Sequence, residues 1–169
     1  MDALHDPSTL RANTNVEFSE TETTDGRDAF EYFDGISGLV AVGVTSDAGA
    51  VLLMESPHGW RLPYGAVESG ADWLATAETI GETLTGVTVT ADRVGRVTQI
   101  THRLRTDEAQ TAVSYDAVVG TEPVDGDPVA DDPTFGEWED LELGWFDAVP
   151  DDAYHAHGSA TNDIERFVE

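Results

Sequence analysis

A glycine-bounded loop, helix and strand unit from Leu62 to Val89 constrains the fold of this chain more than any other segment. Helical periodicity predicts a helix over about 72–84, preceded by a turn. Asp72 suits the N-cap position, and Gly86 lies where a glycine in the left-handed conformation ends a helix. The β-branched residues that follow predict a strand at 87–90.

Apolar runs on both sides of this unit predict β-hairpins. The run LVAVGVTS at 39–46 suits a strand buried on both faces, and AVLLMES at 50–56 follows it after an Asp-Ala-Gly turn signal. A second hairpin is predicted from strands at 94–102 and 111–120. Together with an amphipathic helix at 162–168, these elements predict an α/β sandwich around a mixed sheet.

The composition predicts one domain preceded by a polar arm. Residues 1–27 contain few large apolar side chains, so we expect an arm that is partly disordered or adds an edge strand. Residues 28–169 are predicted to form a single domain. Strand composition at 16–18 and 30–33 favours a strand or hairpin there. The Pro-, Gly- and Asp-rich segment 121–142 predicts a long loop.

The charge of the chain limits its partners. It has 34 acidic and 8 basic residues and a formal net charge of -26, and every basic residue is arginine. Acids spread between apolar runs are typical of halophilic proteins, since molar salt shortens the screening length to about 3 Å. Such a charge argues against binding duplex nucleic acid or an anionic membrane. With no cysteine, no basic apolar leader and no apolar run near the ~20 residues of a membrane span, we expect a cytoplasmic protein.

The segment that begins at Gly65 resembles the signature motif of the Nudix superfamily of pyrophosphohydrolases. That motif reads Gly, five residues, Glu, seven residues, then Arg-Glu-apolar-any-Glu-Glu-any-Gly-apolar. Aligned without gaps, it starts at Gly65 and closes at Gly86 and Val87. HGWRLPYG before the motif and LELGWF near the C-terminus are similar to flanking segments of the family. The resemblance implies a Nudix-like α/β/α sandwich and hydrolysis of nucleoside diphosphate derivatives with Mg²⁺ or Mn²⁺.

The carboxylates of the motif are replaced in this chain. In the family, one helix face presents glutamate oxygens to the metal, which neutralises the pyrophosphate and activates water. The positions of the motif glutamates are occupied by Ala71, Ile80, Thr83 and Leu84. We therefore expect a hydrolase of weak or no activity. The alternative is a non-catalytic module that binds a nucleotide or related metabolite, or regulates, on the same fold.

Other acidic side chains leave a rebuilt metal site open. Glu68, Glu78 and Glu82 are candidate metal ligands, and the last two are also candidate catalytic residues. The alternative is that they are acids on a solvated helix face. The resemblance also implies a carboxylate in the loop before the last strand, for which the candidates are Glu137, Glu139 and Glu142.

Arginines near the predicted cleft are candidates for binding the phosphates of a nucleotide. Arg61 precedes the motif, and Arg96 and Arg103 lie in the second hairpin. Converging arginines would form a phosphate site, whereas dispersal into salt bridges is the alternative. Gly65 and Glu68 complete the candidate ligand-binding set. The resemblance is compatible with a monomer or a homodimer.

Overall fold

Two β-sheets organise the protein, whose computed structural model describes residues 3–56, 59–131, 142–153 and 163–168. A 3₁₀ turn at Pro7–Leu10 precedes the sheets. The remaining elements of the described part are, in chain order, β1 (Glu17–Asp25), α1 (Arg27–Asp34), β2 (Ile36–Gly43), β3 (Val51–Ser56), β4 (Gly59–Arg61), β5 (Tyr64–Glu68), α2 (Trp73–Thr85), β6 (Ala91–Leu104), β7 (Asp107–Thr121) and β8 (Leu143–Phe146).

Helix α2 begins and ends at the residues that the sequence predicts. The Asp72 carboxylate accepts a hydrogen bond from the Leu74 amide at 3.0 Å, which satisfies one of the free amides of the first turn. Gly86 closes the helix with φ 78° and donates its amide to the carbonyl of Glu82 at 2.9 Å. The same Asp72 oxygen accepts the Leu4 amide at 3.0 Å, so the cap also attaches the N-terminal segment to the helix.

The larger sheet contains five strands in the order β1-β6-β7-β2-β5. β1 runs parallel to β6 and β2 parallel to β7, whereas the β6–β7 and β2–β5 pairs are antiparallel. The sheet is therefore mixed, as the sequence predicts. β1 lies at one edge and pairs with β6 from Glu17 to Asp25, well beyond the three residues of strand composition at 16–18.

One face of this sheet forms the main core with α2. Successive side chains of a strand point to opposite faces, so every second residue reaches this core. The strands contribute Val40, Val97 and Val119, and the helix contributes Trp73 and Ile80, each at most 1% exposed. The burial of this apolar surface is the main force that holds helix and sheet together.

The opposite face of the larger sheet is covered at its two ends. α1 covers one end through Phe30, which packs with Leu104 and Ala112. The smaller sheet, with strand order β4-β3-β8, covers the other end, where Leu53 packs in one cluster with Val118. A polar cavity lies on this face between the two covered ends.

The hairpin predicted from 39–46 and 50–56 is confirmed only beside its turn, where Thr45 pairs antiparallel with Val51 and the carbonyl of Val44 accepts the amide of Leu52 at 2.9 Å. A turn does join the two runs, because Ser46 donates its amide to the carbonyl of Ala50 at 2.8 Å. Beyond this turn, however, β2 pairs with β5 and β7, and β3 pairs with β4 and β8. The turn therefore carries the chain from one sheet to the other.

Two further local predictions are wrong. Residues 87–90 form no strand, because β6 begins only at Ala91. Residues 30–33 lie in α1, where Phe30 is buried and Tyr32 is half exposed, as expected for an amphipathic helix. No helix in the described ranges combines the length and apolar character that a membrane crossing requires.

Replacing Asp72 with alanine is expected to lower the free energy of unfolding by about 1–2 kcal/mol, because the cap of α2 and the bond to Leu4 are both lost. Chemical denaturation measures this change. Asp127→Ala is the matched control, since Asp127 is exposed on a loop. Equal destabilisation in both variants would contradict the capping role.

Candidate functional site

A groove of about 330 Å³ lies between β5 and the first half of α2, within the segment that resembles the Nudix motif. Glu68 and Asp72 supply the carboxylates of its walls, and Asp72 is engaged as the helix cap. The remaining lining side chains are Ala66, Ala71, Ala75, Thr76 and Thr79. Gly65 is buried within β5 opposite Val40. The groove therefore presents methyl and hydroxyl groups beside a single exposed carboxylate, Glu68.

The helix positions that the motif assigns to glutamates point in two directions. Ile80 and Leu84 are each 1% exposed and belong to the main core. Thr83 is exposed, and Ala71 packs against the edge of the core. A carboxylate at position 80 or 84 would lose its hydration on folding, which costs several kcal/mol without a partner.

The two helix glutamates that were candidate ligands bind the backbone. Glu78 accepts the amide of Ala91 at 2.9 Å, and Glu82 accepts the amide of Val89 at 3.1 Å. Both bonds hold the segment between α2 and β6 against the helix. Among the described residues, no three His, Asp or Glu side chains are grouped so that they could hold a metal ion. The side chains of Glu68, Glu78 and Glu82 therefore do not come together to form an ion site.

Of the candidate carboxylates in the loop before β8, Glu137 and Glu139 lie outside the described residues. Glu142 precedes β8, and its carbonyl accepts the amide of Glu55 at 3.0 Å. A hydrogen bond between the two side chains, followed by burial and the charges of Glu142 and Asp152, raises the pKa of Glu55. This carboxyl pair lies at the smaller sheet.

A cavity of about 650 Å³, here called the polar cleft, lies on the α1 side of the larger sheet. Alternation along the strands brings its side chains to one face, since Thr98 of β6 pairs with Asp116 of β7 and Asp116 with Leu39 of β2. The cleft is lined by Thr21, Glu22, Thr23, Asp25, Phe33, Leu39, Arg96, Thr98, Ile100, His102, Ser114, Tyr115 and Asp116.

Arg96 is held at the cleft by a network of acids. Its Nε and Nη2 donate to the two carboxylate oxygens of Asp163 at 3.0 Å each, and Nη1 donates to Thr98 Oγ1 at 2.7 Å. Asp116 lies 3.6 Å from Nη2. Burial alone would lower the pKa of Arg96, but the bonds to Asp163 and the charges of Asp116, Asp163 and Glu17 raise it. The guanidinium is therefore a structural cation whose bonds are already made.

The Asp116 carboxyl is a second titratable group of the cleft with a shifted pKa. Burial is the largest cause and raises its pKa, and the charge of Asp163 acts in the same direction. The charges of Arg96 and Arg61 oppose this shift without cancelling it. The cleft thus contains a carboxyl group that gains a proton more easily than an ordinary aspartate.

His102 links three elements beneath the cleft. Its Nδ1 lies 2.6 Å from Asp25 Oδ2 at the end of β1, and its Nε2 lies 2.7 Å from Ser114 Oγ on β7. The imidazole stacks on Phe33 of α1, with ring centroids 4.5 Å apart. His102 and Ser114 are only 2% and 1% exposed, so this chain of bonds satisfies buried polar groups and fastens the edge strand.

Two of the candidate arginines, Arg96 and Arg103, do not converge on one site. Arg103 donates to Glu22 at 3.2 Å and lies seven residues along β6 from Arg96, roughly 23 Å at the rise of a strand. Arg61 lies over the ring of Tyr64, 4.0 Å from its centroid, and its charge reaches Asp116. Of the two outcomes that the sequence leaves open, dispersal into salt bridges holds for Arg96 and Arg103, because acids from distant segments engage both.

Sequence reasoning missed most of the cleft. The alternation along β6 places Arg96, Thr98 and His102 on one face, and that period is visible in the sequence. The matching period along β7 would have added Ser114 and Asp116. Asp25 and Asp163 carry no such signal, because they come from segments remote in sequence.

Comparison with solved structures shows the fold. The E. coli dihydroneopterin triphosphate pyrophosphohydrolase is 18% identical, with a TM-score of 0.54 over 79% of this chain and 96% of that chain. A NUDIX hydrolase from Nitrosomonas europaea is 15% identical, with a TM-score of 0.47 over 79% of this chain and 70% of that one. No family model and no curated protein matches the chain. The chain has a Nudix-like fold, as the sequence predicts.

Asp116→Asn is expected to change how stability depends on pH. Because the native pKa of Asp116 is raised, the folded protein takes up this proton at a higher pH than the unfolded chain. The group therefore adds stability as pH falls through its raised pKa toward the ordinary value near 3.8, and this gain is lost as pH rises. Denaturation of both proteins from pH 7 to pH 4 should show the wild type gaining stability relative to the variant. Parallel curves would contradict the shift.

Proposed function

We propose that this chain is a binding module on a Nudix-like fold, which holds a nucleotide-like small molecule in the polar cleft and hydrolyses pyrophosphate bonds weakly or not at all. The observation that carries this proposal is the orientation of α2. Its inner face buries Ile80 and Leu84, and two of its acids, Glu78 and Glu82, are tied to backbone amides.

The metal chemistry of a Nudix hydrolase does not fit the described donors. Mg²⁺ and Mn²⁺ are hard cations that take oxygen ligands, and a pyrophosphate site needs several carboxylates to hold them. Here Glu68 stands at the groove, while Glu78 and Glu82 each use one oxygen to satisfy an amide between α2 and β6. We therefore assign no catalytic step to a bound metal in this chain.

The chemistry of the cleft supports a ligand with a flat, hydrogen-bonding ring. Leu39 and Ile100 supply apolar contacts, while Asp116 and Thr98 supply an acceptor and a hydroxyl. The volume of about 650 Å³ lies within the usual range for small-molecule sites. The structural relative named above acts on dihydroneopterin triphosphate, which joins such a ring to phosphates.

The charge of the cleft decides which part of the ligand it takes. Its lining includes Glu22, Asp25 and Asp116, and its arginine, Arg96, is bound to Asp163. Carboxylates repel phosphate groups and accept hydrogen bonds from ring N–H and sugar O–H groups. The ring and sugar of the ligand would therefore enter the cleft, with any phosphates directed to solvent.

A weak hydrolase is the second candidate, favoured by the likeness to a pyrophosphohydrolase and by the position of Glu68 in the groove beside α2. It requires that carboxylates outside the motif positions supply the metal ligands.

Calorimetric titration with Mg²⁺ and Mn²⁺ in molar KCl, followed by phosphate release from a panel of nucleoside diphosphate derivatives, separates the two candidates. We expect no specific divalent binding and no metal-dependent turnover, because the oxygens of Glu78 and Glu82 serve backbone amides. Turnover that Glu82→Gln abolishes and the exposed control Glu108→Gln retains would establish the hydrolase instead.

Leu39→Trp is expected to weaken binding of a nucleoside diphosphate derivative by at least about tenfold, because the indole would occupy the space that the ring needs. Equilibrium dialysis against the same panel measures this. Val113→Trp is the matched control, since Val113 is 47% exposed on a strand outside the cleft. Equal affinity of the two variants would remove the cleft from the proposed function.

A further inference from the structure

A second cavity, of about 530 Å³, lies where β6 begins. It is here called the arginine cavity. Its lining combines two arginines, two asparagines and several apolar side chains, namely Leu10, Asn13, Asn15, Val16, Asp92, Arg93, Val94, Gly95, Arg166 and Phe167. None of these residues lines the polar cleft, so ligand binding at the two cavities is separable.

Arg93 differs from the arginines that form ion pairs in this acidic chain. Arg11, for example, pairs with Glu20 at 3.1 Å, and Arg27 with Glu31 at 3.6 Å. Within the described ranges, Arg93 forms no ion pair, although the chain carries 34 acidic residues. Its guanidinium lies over Phe167, 5.4 Å from the ring centroid, which positions it at the cavity wall. An unpaired, positioned cation is unusual at a net charge of -26.

Arg166 brings a second guanidinium to the same cavity with bonding capacity left over. Its Nη2 donates to Glu17 at 3.0 Å, and its Nε lies 3.8 Å from Asp163 Oδ1, beyond hydrogen-bond distance. That Nε is buried and has no hydrogen-bond acceptor among the described residues. Leaving a buried donor without an acceptor is unfavourable.

The rest of the lining supplies amide donors and an apolar wall. Asn13 Oδ1 accepts the backbone amide of Asn15 at 2.9 Å, so the acceptor of that side chain is engaged while its NH₂ group can donate. Leu10, Val16 and Phe167 supply the apolar surface. Asp92 is the carboxylate among the lining residues, and Arg166 is already paired with Glu17, so Arg93 is the cation of this cavity that has no acidic partner in the described ranges.

We propose that the arginine cavity binds the phosphate group of a small aromatic phosphomonoester. Guanidinium groups pair with phosphate oxygens through several parallel N–H bonds. A phosphate therefore suits Arg93 and Arg166 better than a carboxylate does, because a carboxylate offers only two oxygens as acceptors. The apolar wall takes the aromatic part. The polar cleft has three carboxylates and an arginine whose charge is balanced by Asp163, so it favours a hydrogen-bonding ring or sugar over a phosphate.

Isothermal titration calorimetry of the full chain, with phenyl phosphate and with inorganic phosphate in buffers of the same ionic strength, tests this site. Saturable binding of one phenyl phosphate per chain is expected, tighter than that of inorganic phosphate because of the apolar wall. Arg93→Gln should weaken phenyl phosphate binding by about tenfold or more, since a charge-assisted hydrogen bond is lost. Arg105→Gln, which removes the same charge from an exposed turn, should leave the affinity unchanged.

Two results would overturn the proposal: no saturable binding of either probe to the folded wild type, or equal losses in Arg93→Gln and Arg105→Gln. An NMR titration of the wild type with phenyl phosphate adds a measurement that needs no variant. Shifts of the Asn13 and Asn15 amides are expected. Shifts confined to Thr98 and Asp116 would place the ligand in the polar cleft and overturn the assignment.

Discussion

The packing of α2 on the larger sheet is the constraint on which the rest of this structure depends. Trp73, Ile80 and Leu84 of the helix are each 1% exposed or less, and they join sheet residues such as Val40 and Val97 in the main core. A helix that commits this face to apolar burial cannot also present carboxylates from it, because an unpaired buried charge is too costly. The same packing therefore stabilises the fold and sets the chemistry available beside the helix.

In the polar cleft on the other side of the sheet, burial has a different consequence, because several of the buried side chains there are polar. Each buried group must find a partner to offset its lost hydration. Arg96 meets Asp163 through two hydrogen bonds, and His102 lies between Asp25 and Ser114. These networks attach the edge strand and the C-terminal segment to the sheet and leave a cleft of fixed shape.

Among the described residues, Arg96 is a structural cation held by acids, whereas Arg93 forms no ion pair. Asp163 binds Arg96 at the polar cleft and lies 3.8 Å from Arg166 at the arginine cavity, so one carboxylate lies between the two cavities. A ligand that carries both a neutral ring and a phosphate would find its two chemical preferences met at different places on this surface.

The sequence by itself determined the elements whose signals are local. Asp72 and Gly86 fixed the ends of α2 because capping involves only neighbouring residues, and the apolar run at 39–46 marked a buried strand. The motif frame starting at Gly65 indicated the Nudix-like fold. Only the tertiary structure decided which strands pair and which charges meet. The partner of Arg96 lies 67 residues away, and that distance in sequence leaves no periodic or local signal, since hydrogen bonds and ion pairs depend on where the folded chain places both groups.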